Sequence, residues 1–529
     1  MNLKLAAAVL FVSLSYVSCT DDLDQRDPAT ASNPTVEELY KDPAAYKQTL
    51  AKLYGGLAAS GQQGPAGSPD ITGVDEGATG YIRGLWYLNE LPTDEAIIAW
   101  NDNTIRDFHN QSWSATDGFL SANFSRLDFQ IKNCNEFLRQ TTDEKLDSRG
   151  VSGDLKAEIA TYRAEARFLR AMSYWYFLDL YGGRVGIVTE SSSTDYFLPE
   201  QATAQEVFDF IDSELSAIND DLKDPRTNEY PRADKAAAWM VKAKLYLNAK
   251  VYTGTEKYAD ALPLLTNIIN SGYSLHDNYD ELFLADNDRN GSQNEFIFSV
   301  AFDGLNTKTY GGTTFLVHAP LGGSMVPADY GVNGGWGGVR TTSAFVNKFP
   351  AGTADQRSNF YTAGQTLEIA DVADFTNGYT ISKFKNVDVN GVAGSDAGGD
   401  FVDTDFPMFR LADAYLMYAE CALRSGGDIG QALTYVNIVR KRAYGGSTAG
   451  NVTSISLPYI LDERARELYW EGHRRTDLVR FGRFTGGAYV WPWKGNTPNG
   501  TPTPGFRNIY PIPASAIAAN PLLIQNPGY

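Results

Sequence analysis

The sequence predicts a mainly α-helical scaffold of paired helices, with long loops and a few short strands. Apolar residues recur at helical spacing along much of the chain, helical patterns arrive in pairs divided by glycine, and long polar, glycine-rich segments separate the pairs. From Leu155 to Leu180, Ile159, Tyr162, Ala166, Leu169, Ser173, Tyr176 and Leu180 follow at steps of three and four. They mark one buried stripe of a long helix that Gly182 and Gly183 close. Gln205 to Leu222 is a second amphipathic helix. Ala233 to Ala249 and Tyr258 to Asn270 form a pair around a Thr253-Gly254 turn, and Ala412 to Arg424 and Ile429 to Ala443 a pair split by Gly426-Gly427.

Helix pairs with small residues at their crossings resemble tetratricopeptide-type repeats, without the full repeat signature, and imply a right-handed helical scaffold. Three long segments, Gly55 to Gly84, Gly304 to Arg340 and Asn386 to Asp405, interrupt it. Loops of this length in a compact protein are functional or disordered as a rule. The first two carry aromatic residues and are expected to bind; the third carries almost none.

The N-terminus directs the chain out of the cytoplasm. Met1 to Lys4 is cationic, and Leu5 to Val17 is an apolar run too short to span a bilayer, so residues 1–18 read as a secretory signal peptide. Tyr16-Val17-Ser18-Cys19 resembles a bacterial lipoprotein cleavage site, which makes Cys19 the acylated first residue, although Tyr16 departs from the usual Leu. Acyl chains contribute about 0.8 kcal/mol per buried methylene, enough for lasting attachment when several are present. No later stretch is apolar and long enough to cross a membrane, so anchoring is expected to depend on Cys19. Thr20-Asp21-Asp22-Leu23-Asp24 is similar to the surface-export signal of Bacteroidetes lipoproteins, and residues 19–35, rich in Asp, Pro, Ala and Ser, read as a flexible lipidated tether.

Composition narrows the partners. With 64 acidic against 45 basic residues and a formal net charge of −19, the surface repels nucleic acid and anionic lipid but is indifferent to neutral glycans. Beyond Cys19 there are two cysteines, Cys134 and Cys421, each within an apolar helical pattern; buried free thiols are expected, with a single disulfide as the alternative. Aromatic residues reach 12%, among them 30 Tyr and 9 Trp, a surplus over what a core needs and a first sign of a sugar-binding surface.

Leu461 to Gly472 runs into His473 to Gly482 with dense charge: Glu463, Arg464, Arg466, Glu467, Glu471, His473, Arg474, Arg475, Asp477 and Arg480. A catalytic reading would make Glu463, Glu467 and His473 acid, base or ligand. Ion pairs that tie one charged helix to the scaffold, with i,i+4 partners such as Glu471 and Arg475, are the expected role. His109, His276 and His318 are scattered singly, so no metal-binding or triad constellation forms from histidines.

The Glu-Arg-x-Arg-Glu and Glu-Gly-x-Arg-Arg-x-Asp-Leu-x-Arg-Phe-Gly motifs of residues 463–482, the Arg163-Ala164-Glu165-Ala166-Arg167-Phe168-Leu169-Arg170 helix, and the Tyr510-Pro511-Ile512-Pro513 and Gln525-Asn526-Pro527-Gly528-Tyr529 ending resemble the SusD/RagB family. That resemblance spans the chain. It implies a helical, tetratricopeptide-like domain over 36–529, an outer-membrane location on the cell surface of a Bacteroidetes-type bacterium, and a place as lid over a SusC-like TonB-dependent transporter. Gly67-Ser68-Pro69-Asp70, Asp75-Glu76-Gly77, Glu90 to Glu95, Arg232 to Ala237 and Asn248 to Gly254 are similar to a starch-binding member in particular. The stretch after Asn103 and the region after Phe349 are shorter than in that member.

A neutral glycan offers apolar C–H faces and a fringe of hydroxyls, which flat aromatic rings and forked polar side chains match. Two places supply both: Trp100 beside Asn101, Asp102 and Asn103, after Asp75 and Arg83, and the glycine-rich stretch with Tyr310 and Trp336. The resemblance implies an α-glucan site on Asp75, Arg83, Trp100, Asn103, Tyr310 and Trp336. Alone, each Trp would be core as often as platform and Asp75–Arg83 a surface ion pair, but Gly334-Gly335 and Gly337-Gly338 leave Trp336 little local core to join. Trp470 is expected to be core. Asp286, Asp288 and Asn290 begin like a calcium loop, with Glu295 too early for an EF-hand; the resemblance implies structural Ca2+ there, a turn with solvated carboxylates is the alternative, and no cofactor is required. The expected function is capture of starch or malto-oligosaccharide without chemistry. Another glycan, a fructan or β-glucan, is the alternative, and a glycoside hydrolase a distant one. Its best carboxylate pair, Asp94-Glu95, would point to opposite faces of a strand.

Overall fold

The computed structural model describes residues 35–529 except 63, 66, 67, 103, 196 and 351. The expected signal peptide, Cys19 and all of the tether but Thr35 lie outside the described residues. A first compact unit ends at Tyr46 and a second runs from Lys47 to Tyr529. In the first, Thr35 and Glu38 close a capping box on the short helix Val36–Leu39.

The frame of the second unit is a succession of helices, each packed on the next. Gly118–Gln140 lies on Gly153–Tyr181, which lies on Ala204–Ala217; this meets Lys235–Leu247, then Tyr258–Ile269, then Leu411–Ser425, which contacts both Ile429–Ala443 and Leu457–Leu468. This nearest-neighbour packing is that of a repeat array. Local chemistry sets the ends. Asp117 accepts from the Phe119 and Leu120 amides, Asp234 from Ala236 and Ala237, and Thr203 with Glu206 forms a capping box. Gly182, at φ 70°, stops the longest helix.

The seven stripe residues from Ile159 to Leu180 are buried, but the stripe is only part of the buried surface. From Ala164 to Tyr181 every residue except Arg167 is inside, because other helices cover this one on several sides. Its buried charges are paired: Arg170 donates to Glu214 (2.6 Å) and Glu190 (2.5 Å), and Glu165 accepts from Arg232 (2.5 Å). Cys134 and Cys421 are free and buried, and burial pushes the Cys134 thiol up to about 12. Among the described residues no helix is long and apolar enough to cross a membrane. Three two-stranded antiparallel pairings join distant segments: Ile97–Ile98 with Val339–Arg340, Phe296–Val300 with Phe406–Arg410, and Phe360–Tyr361 with Thr380–Ile381.

The charged segment departs from the single helix expected. Leu457–Leu468 and Arg474–Arg480 are separate helices, and the chain between them turns through Trp470 at φ 63° and Gly472 at φ 83°. Trp470 therefore belongs to the break, though it is core, 1% exposed, edge-on to Trp86 at 5.4 Å. The break also undoes the expected Glu471–Arg475 pair. Glu471 accepts from Lys383 and Arg410 (both 2.7 Å), and Arg475 reaches Asp179 (3.0 Å). Glu463 holds Arg357 (2.8 Å), Arg440 (2.7 Å) and Arg466 (2.6 Å); Glu467 holds Arg357 (3.2 Å), Arg410 (3.0 Å) and Arg442. Burial alone would raise the Glu463 carboxyl, but Arg357, Arg466 and Arg440 hold it well below the usual range. Burial beside Lys244 pushes His473 down to about 3, so it is neutral at physiological pH.

Asp94 and Glu95 sit in the turn ahead of the Ile97–Ile98 strand, not on it, and both are buried. Arg474 grips Asp94 through two bonds of 2.7 and 2.9 Å, while Glu95 faces Glu90. Burial pushes Glu90 up to about 7, and burial with the Glu90 charge raises Glu95 well above the usual range. Burial and the neighbouring Glu90 carboxyl thus favour the protonated form of Glu95. A carboxyl raised on folding stabilises fully below its ordinary value near 4.5, and that contribution is lost as pH climbs through the folded value. The melting temperature of the wild type should accordingly fall between pH 5 and 8. Glu95→Gln, which stays neutral, should flatten that fall and melt above the wild type at pH 8; parallel melting curves across that range would refute the raised Glu95 carboxyl.

Candidate functional site

A strand pairing builds the site. Ile97 and Ile98 lie opposite Arg340 and Val339, and the Ala99 amide donates to the Gly338 carbonyl (2.8 Å). Zipped this way, residues 97–99 and 338–340 deliver Trp100 and Trp336 side by side. Trp100 Nε1 donates to the Trp336 carbonyl (3.0 Å), and the ring centroids are 6.3 Å apart at 43°. A Cβ on Gly338 would stand 2.3 Å from the Trp100 ring, so only glycine allows this approach.

Tyr310 continues the arc, its centroid 6.2 Å from Trp336 at 68°. Trp336 and Tyr310 each have a backing. His318 stacks on Trp336 (5.0 Å, 17°) and donates from Nδ1 to the Gly334 carbonyl (2.7 Å); burial lowers its pKa, which leaves it neutral. Phe401 lies 5.4 Å from Tyr310. It comes from Asn386 to Asp405, the loop expected to take no part in binding, which thus supports a platform ring.

Arg83, from the helix Tyr81–Asn89, underpins the arc. It donates to Asp75 (3.2 Å), to the Tyr310 carbonyl (2.9 Å) and to the Tyr87 hydroxyl (2.8 Å). Its guanidinium carbon is 5.9 and 6.0 Å from the Trp100 and Trp336 ring centres and 4.7 Å from that of Phe315. Such a cation steadies the rings from below. Arg83 is buried, whereas the Asp75 side chain is 62% exposed. Both line, with the three rings, a cleft of about 530 Å3 floored by the buried Tyr87, Ile105 and Phe119 and edged by the exposed Asp102.

Five expected site residues, Asp75, Arg83, Trp100, Tyr310 and Trp336, therefore meet at one cleft; Asn103 lies outside the described residues. Sequence reasoning missed His318, Phe315 and Phe401, since nothing local marks a residue that packs behind a ring. It passed over Asp102, visible only as the neighbour of Trp100. The arrangement offers apolar ring faces, a partly exposed carboxylate and open space, which suits polyhydroxylated ligands.

The suggested calcium residues do not form a cage. Asp286 accepts from the Asn290 side chain (3.1 Å) and the Val389 amide (3.3 Å), Asp288 pairs with Arg289 (2.8 Å), and the Asn290 side-chain oxygen Oδ1 accepts from the Ser292 amide (2.9 Å). These oxygens are taken by N–H donors, a poor fit for a cation. Among the described residues no group of three or more His, Cys, Asp or Glu is placed to hold a metal.

The starch-binding protein SusD of Bacteroides thetaiotaomicron is 37% identical to this chain over 99% of it and 98% of SusD. The chain belongs to the SusD family. The model of that family matches residues 354–529, the part that carries the ion-paired helices and the C-terminal Tyr510 to Tyr529 segment. Among solved structures, surface glycan-binding protein A from Bacteroides fluxus superposes with a TM-score of 0.70 at 20% identity, covering 92% of this chain and 99% of that one. A laminarin-binding SusD-like protein gives 0.69 at 22% identity over 92% and 99%. These two structures bear on the fold, a SusD-like helical one.

Platform and core tryptophans should separate cleanly. Trp336→Ala should cost about 2 kcal/mol or more of glycan binding, roughly thirtyfold in affinity, with little change in melting temperature. Trp100→Ala should lose affinity and some stability together, because its ring also packs on Phe315 and Gly338. Trp470→Ala should lose about 3–5 kcal/mol of stability to a cavity, while its folded fraction binds normally. Calorimetry and thermal melts on the three variants test this; a Trp336→Ala protein with full affinity would move the site elsewhere.

Proposed function

We propose that this protein captures starch or malto-oligosaccharide, α-1,4-glucan, at the cell surface and passes it to a SusC-like TonB-dependent transporter. The observation that carries the reading is the arc of Trp100, Trp336 and Tyr310, whose rings turn by 43° and then 68°. A surface that curves within three rings suits a coiled chain such as an α-1,4-glucan and would touch a flat, extended one at a single ring. Full-length similarity to a starch-binding protein supports the same ligand class. Binding without cleavage agrees with the cleft: of its two edge carboxylates, Asp75 is held by Arg83. Asp94 and Glu95 are sealed in the core.

A second reading keeps the same site and takes a β-glucan, since a laminarin-binding protein shares this fold. Native-gel retardation in amylopectin, laminarin and levan decides between them. Retardation by amylopectin alone is expected; retardation by laminarin alone would replace the ligand and keep the site.

The protein is further proposed to be an outer-membrane lipoprotein held through Cys19. Cys19→Ala, expressed without the transporter, should remain folded and leave the membrane fraction for the soluble one. A mutant that still sediments with membranes would overturn the lipid anchor.

A further inference from the structure

Tyr310 is the most exposed ring of the arc, 38% accessible, and its hold on the molecule is the least obvious. Among the described residues its side chain is held by ring contacts with Phe401 and Trp336. Its peptide, by contrast, is gripped on both sides. The amide donates to Glu76 Oε2 (3.0 Å), and the carbonyl accepts from Arg83 (2.9 Å). The other Glu76 oxygen accepts from the Thr309 hydroxyl (2.8 Å) and from Ser60. Ser60 and Thr309 are both buried and Glu76 is half-buried, so the carboxylate closes a small joint at the edge of the interior between the two glycine-rich segments. The approach is tight enough to demand glycine on either side: a Cβ on Gly77 would lie 2.3 Å from the Tyr310 carbonyl, and one on Gly311 2.7 Å from the Gly77 carbonyl.

We infer that Glu76 is a positioning residue for glycan binding, a latch that sets the Tyr310 ring at the angle the sugar chain requires. A carboxylate suits the task because it takes neutral donors from both neighbours of the joint, residues 309 and 310, and from residue 60 at once. Losing it leaves the Tyr310 amide without an acceptor and frees the segment to shift, so Tyr310 no longer closes the arc against Trp336. Glu76 touches no sugar in this account; it acts through Tyr310.

The inference rests on the proposed glycan site, and its test separates the two. Affinity for maltoheptaose is measured by calorimetry for the wild type, Glu76→Ala, Tyr310→Ala and the double variant, with melting temperatures alongside. Glu76→Ala should bind about tenfold more weakly, the scale of a lost hydrogen bond to a charged group. The double variant should bind no worse than Tyr310→Ala alone, since both changes remove the same ring. Thr309→Val, which removes one donor to the latch and keeps the side-chain volume, should give a smaller loss in the same direction and serves if Glu76→Ala folds poorly. Additive losses in the double variant, or weak Tyr310→Ala binding beside unaffected Glu76→Ala and Thr309→Val, would overturn the latch and leave the site standing. A wild type blind to maltoheptaose but responsive to laminarin would change the ligand of the proposed function, and the same four proteins would then be compared on laminarin oligosaccharides.

Discussion

The buried ion network around Glu467 and Arg410 holds the structure in register. Arg410 donates to Glu295 (2.6 Å), Glu467 (3.0 Å) and Glu471 (2.7 Å), all inside the protein. Unpaired, any one of these charges would cost several kcal/mol to bury, and deletion of one partner of such a pair commonly costs about 3–5 kcal/mol. The network is therefore less a source of stability than a constraint. It admits only the arrangement in which the Phe406–Arg410 strand, the helices Ile429–Ala443 and Leu457–Leu468, and the segment ahead of the Phe296–Val300 strand meet together.

That constraint reaches the binding cleft through the break between the two charged helices. The Gly472 and His473 amides donate to Glu90 (2.5 and 2.9 Å), Arg474 holds Asp94, and Trp470 Nε1 donates to the Glu95 carbonyl (3.0 Å). Residues 90–95 connect the helix that carries Arg83 to the Ile97–Ile98 strand that leads into Trp100. A left-handed backbone at a bulky residue such as Trp470 is strained, and it persists because ion pairs on both sides over-determine it. Strain and charge together place the underside of the cleft.

Helices were the most legible part of the sequence. Ile429–Ala443 falls where its apolar spacing puts it, and glycines such as Gly182 end helices as expected, because period and cap are local properties. The charges of residues 463–480 were legible as ion pairs but not in their partners. Arg357, Arg410 and Glu295 lie far away in the chain, and the i,i+4 rule fails where Trp470 and Gly472 break the helix. Asp75, Arg83, Trp100, Tyr310 and Trp336 were legible chiefly through family resemblance. Pattern alone singled out Trp336, whose flanking glycines prove to make room for neighbouring chain and rings. The rear supports His318 and Phe401 left no trace, since a residue behind a platform looks like any other core residue.

The three rings of the arc, Trp100, Tyr310 and Trp336, stand on connecting segments, whereas the helices Tyr81–Asn89 and Gly118–Gln140 supply Arg83, Tyr87 and Phe119 from behind. Frame and recognition surface are thus separate modules joined at a few points: the 97–99 and 338–340 zipper, the Arg83 fork and the segment at 90–95. Such a division favours diversification. Insertions, deletions and ring exchanges in the connecting segments can retune what is bound while the charge network keeps the frame folding, and an engineer could transplant a foreign pair of loops onto this frame provided those junctions are kept.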